Sequence, residues 1–359
     1  MSRYCVTVLG GLEEIARREI RSRLPGAVLC DAAGEDAWGP VFFDDDGPPA
    51  DVLTLRSIEH VFAAVDAFGD VPTDESGPEV IRARLAAVGL DEPLRLHAAI
   101  HGARENPSFR CTSKRTGEHD FSSYEIMARA GAAIVARYGW RVDLEGYDYD
   151  LHVDLVDDRC CVGLRLTPVS LHHRSRIAHT PASINPPLAY ALCLLSEPQP
   201  GEVFLDPMCG AGTILIERAA LGPARLLAGD LHPRPVEMAQ RNFEAFGAQA
   251  GLCRWDARRL PLAGESVDKV VCNLPWGRRV GSHLSNRHLY PGFVREVARV
   301  LRVRGLAVLV SLEKRMLTRA VERHGWLRIE RRLLISVGGL NPWIFVVRKF
   351  RGNEPPTAD

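Results

Sequence analysis

Several features that would place the chain in a special class of protein are absent. The 359 residues contain no apolar run of the length a membrane-spanning helix needs, about 20 residues, and residues 1–10 lack a basic segment followed by an apolar one. Nine cysteines occur without a CxxC pair, and twelve histidines occur without an HExxH motif. We therefore expect a cytoplasmic globular protein with reduced thiols, no membrane anchor and no bound metal.

The net charge is zero, but the charge is unevenly distributed. The chain has 45 Lys+Arg and 45 Asp+Glu; residues 1–160 hold 17 and 29 of these, which leaves 28 and 16 for residues 161–359. The two parts therefore carry −12 and +12. A basic C-terminal part favours contact with a polyanion such as RNA.

The N-terminal 168 residues are predicted to form two small α+β modules, over 1–70 and 71–168. Pro-, Gly- and acid-rich segments at 44–51 and 72–79 indicate loops between regular elements. The predicted elements are a strand and an amphipathic helix that ends at Pro25-Gly26, a helix over 51–65, a helix from about residue 80, a strand over 94–100, a polar loop over 101–123, a helix over 124–138, and strands over 148–156 and 159–167.

A connector over 169–185 is followed by strictly alternating strands and helices over 186–350. This alternation predicts a doubly wound parallel sheet. Two long strands with no helix between them, over 326–337 and 342–350, predict a terminal antiparallel hairpin, and residues 351–359 are predicted to be disordered. The predicted parallel strands cover 202–207, 226–231, 251–256, 269–276 and 306–312.

Polar residues end four successive strands of this sheet: Asp206, Asp230, Asp256 and Asn273. Ligands of doubly wound sheets bind at this edge. The turn after Asp206 has two glycines but neither the third glycine of a dinucleotide fingerprint nor a P-loop Lys, which favours a ligand without phosphates. Three carboxylates would attract the sulfonium and ammonium groups of S-adenosylmethionine. The candidate contacts are Asp206, Met208, Cys209, Gly210, Gly212, Thr213, Asp230, Leu231, Asp256, Ala257 and Asn273.

The segment Asn273-Leu274-Pro275-Trp276 is predicted to be the reaction site. An exocyclic base nitrogen is a poor nucleophile because its lone pair is delocalised into the ring. Hydrogen bonds from that amine to the Asn273 amide oxygen and to a main-chain carbonyl, at Leu274 or Pro275, would localise the lone pair towards the methyl group. The Trp276 indole would stack on the flipped-out base. The candidate catalytic residues are thus Asn273, Pro275 and Trp276.

Cysteine chemistry is not expected at this site. A cytosine-C5 mechanism needs a nucleophilic thiolate in the reacting loop. Cys272 precedes Asn273 within an apolar strand, and Cys209 lies in the cofactor turn. Both cysteines are therefore predicted to be packing residues.

The segments DPMCGAGTILIERA (206–219) and NLPWG together resemble the motifs of class I methyltransferases, and the chain is similar to the THUMP-domain RNA methyltransferases over nearly its whole length. GLEEIARREI resembles their ferredoxin-like opening, and FRCTSKRTGEHDFSSYEIMARAG resembles their THUMP domain. The resemblance implies an α/β, Rossmann-like methyltransferase domain with a terminal antiparallel hairpin, preceded by α+β ferredoxin-like and THUMP domains. It also implies S-adenosyl-L-methionine as cofactor.

The module order is similar to that of the bacterial and archaeal tRNA guanine-N2 methyltransferases that modify position 6 of the acceptor stem. This resemblance implies a monomeric enzyme with tRNA as partner. The candidate RNA contacts are Arg104, Arg110, Lys114, Arg115, Arg174, Arg176, Arg278 and Arg279.

The substrate is left open by one departure from the family pattern. Many relatives have Asn-Pro-Pro-Tyr or Asn-Pro-Pro-Phe at this position, whereas this chain has Asn-Leu-Pro-Trp, with Leu274 in place of the first proline and Trp276 in place of the tyrosine or phenylalanine. Ribosomal RNA guanine N2 and a protein glutamine amide share the same planar-nitrogen chemistry. A non-catalytic RNA-binding protein is a further alternative, against which the intact set of strand-end residues argues.

Overall fold

The structure is a computed structural model in which contacts divide the chain into two units. Residues 1–8 and 16–171 form the first unit, and residues 9–15 and 172–359 form the second. The division at 171 falls inside the segment predicted as a connector, whereas the predicted boundary near residue 70 stays a prediction. The structure describes residues 1–30, 39–171, 174, 177–178, 183–277 and 282–351.

The first unit is built on one eight-stranded sheet. Its strands are β1 (Ser2–Thr7), β2 (Val28–Cys30), β3 (Val41–Asp45), β4 (His60–Phe68), β5 (Ser108–Thr116), β6 (Arg141–Val142), β7 (Tyr149–Val156) and β8 (Arg159–Arg165). The strand order is β2-β3-β1-β4-β8-β7-β5-β6. Because β4 pairs with β8, the two predicted α+β segments contribute to one continuous sheet.

Four α-helices pack in the described part of this unit, and the last of them has clear start and stop signals. The four are α1 (Glu13–Arg23), α2 (Gly77–Ala87), α3 (Asp91–His101) and α4 (Ser123–Tyr138). Ser122 and Glu125 form a reciprocal capping box at the start of α4, and Gly139, at φ 68°, ends it. Apolar side chains from the helices and the strands form one core, which holds the helices against the sheet.

Three predictions for this unit are wrong. The helix expected over 51–65 is a short 3-10 helix, Asp51–Thr54, followed by β4; Val61, Phe62 and Ala63 are all buried, so the alternation typical of a strand is missing. The strand expected over 94–100 belongs to α3, whose start is marked by acids in the first turn.

The polar loop expected over 101–123 contains β5, a strand inside the sheet. Its polar side chains are paired by the neighbouring strand: Arg110 donates to the Asp150 carboxylate at 2.7 Å, and the Thr112 hydroxyl donates to the same group at 2.9 Å. Asp150 is nearly fully buried. A polar sequence can occupy an interior strand because its partners come from β7, about forty residues later.

The second unit contains a seven-stranded sheet in the order β11-β10-β9-β12-β13-β15-β14. The first five of these strands are parallel, and β15 is antiparallel to both β13 and β14, so the doubly wound sheet and the terminal hairpin are confirmed. The strands are β9 (Val203–Asp206), β10 (Arg225–Asp230), β11 (Ala250–Arg254), β12 (Val267–Asn273), β13 (Leu301–Ser311), β14 (Leu327–Leu334) and β15 (Trp343–Lys349).

Helices cover both faces of this sheet. The helices are α5 (Pro186–Leu195), α6 (Thr213–Ala219), α7 (Pro233–Phe246), α8 (His283–Val300) and α9 (Lys314–Glu322). Apolar residues of α5, α6 and α7 form one core on one face, and those of α8 and α9 form another on the opposite face. The sequence analysis did not anticipate α5 or α9; α5 is buried nearly all round and so lacks an amphipathic period. The predicted disordered tail lies, from 352 onwards, outside the described residues.

A buried ion pair gives a test of this packing. The Arg218 guanidinium on α6 donates to Glu202 at 2.9 Å, and both side chains are at most 3% exposed. Arg218→Met leaves a buried carboxylate without its cation, and we expect it to lower the free energy of unfolding by about 3–5 kcal/mol in denaturant titrations.

The matched control is Arg302→Met, which removes an exposed pair with Asp268 in the same unit and should cost about 0–1 kcal/mol. Equal effects of the two substitutions would contradict the assigned role of burial.

Candidate active site

The glycine-rich turn after β9 combines close packing with an open surface. Gly212 has φ 81°, and a Cβ atom there would lie 2.5 Å from the Phe243 ring of α7. Gly210 has φ 52°, and a Cβ there would meet nothing within 4 Å among the described residues. Gly212 is thus required for packing on α7. Gly210 leaves room for a ligand beside the turn, and Thr213 behind it is buried as the first residue of α6.

Asp206 is a buried carboxyl group with little compensation. It is 1% exposed, and its Oδ1 accepts the Met208 N–H at 3.2 Å. Burial raises the pKa of Asp206 to about 8, and the charge of Asp230 acts in the same direction. Such a group would gain a favourable interaction from a positively charged ligand.

Asp230 fixes the glycine turn to the end of β10. Its Oδ2 accepts the Gly210 N–H at 3.1 Å, and its Oδ1 accepts the His232 N–H at 3.1 Å. Each carboxylate oxygen keeps further acceptor capacity for a ligand hydroxyl. Leu231, the next residue, is 49% exposed and offers an apolar surface beside this carboxylate.

Asp256, predicted from the sequence as a cofactor contact, is already hydrogen-bonded to an arginine. The Arg258 side chain donates to both oxygens, at 3.0 and 2.7 Å, and this hydrogen bonding lowers the pKa of Asp256. An adenine amino group would share or displace this guanidinium. Ala257, predicted as a cofactor contact, is buried in the core formed with α8.

Asn273, the last residue of β12, carries an unsatisfied acceptor. Among the described residues its Oδ1 is buried and has no hydrogen-bond partner. An unpaired buried oxygen costs free energy unless a ligand donates to it. This oxygen therefore has the property required to receive an amine N–H.

The Pro275 carbonyl is already engaged. It accepts the Asn286 Nδ2–H at 2.9 Å and the Tyr290 hydroxyl at 2.8 Å, both from α8, and the Tyr290 hydroxyl also contacts Ser311 Oγ at 2.7 Å. Two donors occupy its lone pairs. Of the two carbonyls predicted for the substrate amine, Leu274 is therefore favoured, and Pro275 anchors the loop.

The Trp276 indole is only partly available for stacking on a base. The side chain packs against the apolar core formed with α5, α6 and α7, and its buried Nε1 has no acceptor among the described residues. A stacking role for this indole stays a prediction.

The cysteines near the site are poor nucleophiles. Cys209 and Cys272 are buried, and burial raises the pKa of both thiols well above the usual range. All nine cysteines of the chain are free. Within the described ranges, no group of three or more His, Cys, Asp and Glu could hold a metal ion, and no helix has the length and apolarity to cross a membrane.

The predicted RNA contacts have different environments. Lys114 is exposed, Arg104 lies 3.6 Å from Asp148, and Arg115 donates to the His119 carbonyl at 3.4 Å. Arg110 is tied to Asp150, and its guanidinium lies 3.9 Å from the Tyr147 ring centroid.

In the second unit, Arg174 pairs at 3.2 Å with Glu217, which is fully buried on α6. Arg110 and Arg174 thus have structural partners that the sequence did not indicate. Arg176, Arg278 and Arg279 lie outside the described residues.

Sequence reasoning missed a buried side chain that supports the turn. Asn242 on α7 accepts the N–H groups of Ile177 and Ala178, and its Nδ2 donates to the carbonyls of Ala178 and Ala211. It joins the connector to the glycine turn. Its only sequence signal is a polar residue on the apolar face of an amphipathic helix, which Asn286 on α8 shares.

Comparisons with known proteins agree with this architecture. A family model described as an RMKL-like methyltransferase domain matches residues 173–336, and the THUMP domain model matches residues 96–165. The crystal structure of TrmN from Thermus thermophilus superposes with a TM-score of 0.79 at 29% identity, covering 98% of this chain and all of that one.

Curated relatives give the same family. The tRNA (guanine(6)-N2)-methyltransferase of Thermus thermophilus is 36% identical over 245 residues, covering 67% of this chain and 72% of the relative. The tRNA (guanine(6)-N(2))-methyltransferase THUMP3 of Mus musculus is 33% identical over 259 residues, but the match covers only 51% of that protein. The chain thus spans about half the length of such mammalian relatives. It belongs to the family of THUMP-domain methyltransferases that includes the Thermus enzyme.

The raised pKa of Asp206 predicts a pH-dependent stability. The folded state holds a proton that the unfolded chain releases near the ordinary value of 3.8, so this group makes the protein progressively less stable as pH rises from 3.8 to about 8. We expect the free energy of unfolding of Asp206→Asn to exceed that of the wild type by an amount that grows as pH rises from about 5 towards about 8 and is constant above it.

Asp256→Asn is the control for this measurement. Asp256 is ionised throughout that window because Arg258 lowers its pKa, so its substitution should change stability by an amount independent of pH. A constant difference between wild type and Asp206→Asn would contradict the assignment.

Proposed function

We propose that the chain is an S-adenosyl-L-methionine-dependent methyltransferase that modifies the exocyclic N2 of a guanine in tRNA, at acceptor-stem position 6. The observation that carries the proposal is the buried Oδ1 of Asn273 at the end of β12, which has no hydrogen-bond partner in the described part of the chain and lies at the edge where β9 and β10 present Asp206 and Asp230. The names of the relatives supply the base and the RNA.

The residues of the glycine turn and the strand ends fit the cofactor. Asp206 is a buried carboxyl group whose ionised form a positively charged methionine part would favour, Gly210 leaves space beside its backbone, and Asp230 has acceptor capacity for the ribose hydroxyls. Met208, Cys209, Leu231 and Asp256 complete the proposed contacts. When bound, the cofactor supplies an electrophilic methyl group.

The chain's own residues position the acceptor nitrogen. One N–H of the guanine amine donates to Asn273 Oδ1 and the other to the Leu274 carbonyl, which turns the nitrogen lone pair out of conjugation and towards the methyl group. The methylated nitrogen is strongly acidic and releases its proton through these oxygens to water, so no strong base is required. Catalysis is chiefly a matter of position.

Side chains of α8 hold the reaction loop, residues 273–276, in place. Asn286 and Tyr290 fix the Pro275 carbonyl, and the Leu274 N–H donates to the Val310 carbonyl at 3.0 Å. A fixed loop keeps the two acceptor oxygens at a constant separation, as two hydrogen bonds to one amine require. The THUMP match favours an RNA substrate over a protein amide.

The decisive experiment is nucleoside analysis of methylated RNA. Unmodified tRNA incubated with the protein and isotope-labelled cofactor, then digested, should yield labelled N2-methylguanosine. Asn273→Ala should lower kcat by about 10²-fold, because it removes an acceptor used in the transition state, while Asn273→Asp keeps an acceptor oxygen and part of the activity. Label in ribosomal RNA or in protein but not in tRNA would refute the tRNA assignment.

The role of the indole is tested separately. If Trp276 stacks on the base, Trp276→Ala should lower kcat much more than it weakens cofactor binding measured by calorimetry, and Trp276→Phe should restore most of the turnover. Parallel loss of turnover, cofactor affinity and thermal stability would instead assign the indole to the core against which it packs.

A further inference from the structure

Helix α9 carries a row of exposed arginines. Arg315 and Arg319 on the helix and Arg323, its C-cap residue in helical conformation, follow one another at intervals of four residues, so they lie on one side over about 12 Å. Leu317 and Val321, on the other side, are buried in the core shared with α8. The helix therefore presents a cationic stripe outwards.

In the described part of the chain, these guanidinium groups have no side-chain partner. None of the three forms an ion pair there, although Arg82 on α2 and Arg95 on α3 are each paired with a glutamate one turn away. The two acids beside the stripe are occupied: Glu322 contacts Arg332 at 3.5 Å, and Glu313 contacts His283 at 2.7 Å. The positive potential of the stripe is thus uncompensated by its nearest carboxylates.

The stripe starts beside the reaction loop. Ser311, which ends β13, contacts the Tyr290 hydroxyl that holds the Pro275 carbonyl, and α9 begins three residues later. Helix α8, which packs with α9 in one core, carries a further exposed arginine, Arg295, so the adjoining helix adds positive charge. The surface therefore leads from the rim of the site across the α8–α9 face.

We propose that the α9 stripe, Arg315, Arg319 and Arg323, binds the phosphate backbone of the RNA strand that flanks the target nucleotide. This inference rests on the proposed function. A base extruded into the site at Asn273 leaves its neighbouring phosphates at the rim, and a row of guanidinium groups one helical turn apart matches a row of phosphates. Such contacts carry no base sequence; they set position and affinity.

The test compares a double variant that removes two of these charges with one that keeps them. Arg315→Ala/Arg319→Ala should weaken binding of unmodified tRNA by about tenfold or more and lower the slope of log K against log salt by about 2. Arg315→Lys/Arg319→Lys should retain most of the slope, because the charges remain. Cofactor affinity and kcat at saturating tRNA should match the wild type in all these proteins. The weaker binding should appear as a higher KM for tRNA.

The control is Arg225→Ala/Arg241→Ala, which removes two exposed arginines that form no ion pair among the described residues; Arg241 lies on α7, on the opposite face of the sheet. Its tRNA affinity should be unchanged. If Arg225→Ala/Arg241→Ala weakens tRNA binding as much as Arg315→Ala/Arg319→Ala does, the effect is one of net charge, and the inference is overturned.

Failure of the proposed function has a different signature. A wild-type protein that binds and methylates no RNA refutes both ideas. A wild-type protein that methylates tRNA, together with an Arg315/Arg319 double alanine variant that binds tRNA normally, overturns the stripe alone. If the double alanine variant loses binding to an acidic peptide but keeps its affinity for tRNA, the stripe belongs to a site for a protein partner, and the inference is again overturned.

Discussion

The hydrogen bond between the Gly210 amide and the Asp230 carboxylate joins the two strand ends on which the candidate site depends. A second bond, from the Cys209 N–H to the Gly229 carbonyl at 2.9 Å, reinforces it. Together they hold the turn of β9 against the end of β10, and Gly212 lets that turn rest on Phe243. Because both strands are parallel, this one junction sets the positions of Asp206 and Asp230 at the same edge of the sheet.

Buried polar side chains on the helices extend this junction to the rest of the site. Asn242 of α7 reaches the back of the glycine turn, and Asn286 and Tyr290 of α8 reach the reaction loop. All three are nearly fully buried. A buried polar group is stable only when it is hydrogen-bonded, so each restricts its loop to one conformation. Among the described residues, Asn273 Oδ1, Trp276 Nε1 and Asn286 Oδ1 are buried without a hydrogen-bond partner, and the first of these lies at the strand end where the proposed substrate amine donates.

The first unit shows how far local pattern can mislead. Strand β5 has the composition of a loop, but it lies between β7 and β6 because Asp150 neutralises Arg110 and accepts from Thr112. Strand β4 has apolar residues on both faces, which removes the alternation that would identify it. In both cases strand pairing outweighed local preference, as expected where the conformation is selected by cross-strand neighbours.

The sequence by itself determined the parallel strands of the second unit, the glycine turn and the polar residues at the strand ends, because these depend on local periodicity and on the short motifs that follow each strand. Only the tertiary structure decided which groups are already occupied. Pro275 is excluded as an acceptor by donors 11 and 15 residues away, and Arg174 is held by Glu217. Hydrogen-bond partners of this kind are chosen by packing in three dimensions, which local sequence does not encode.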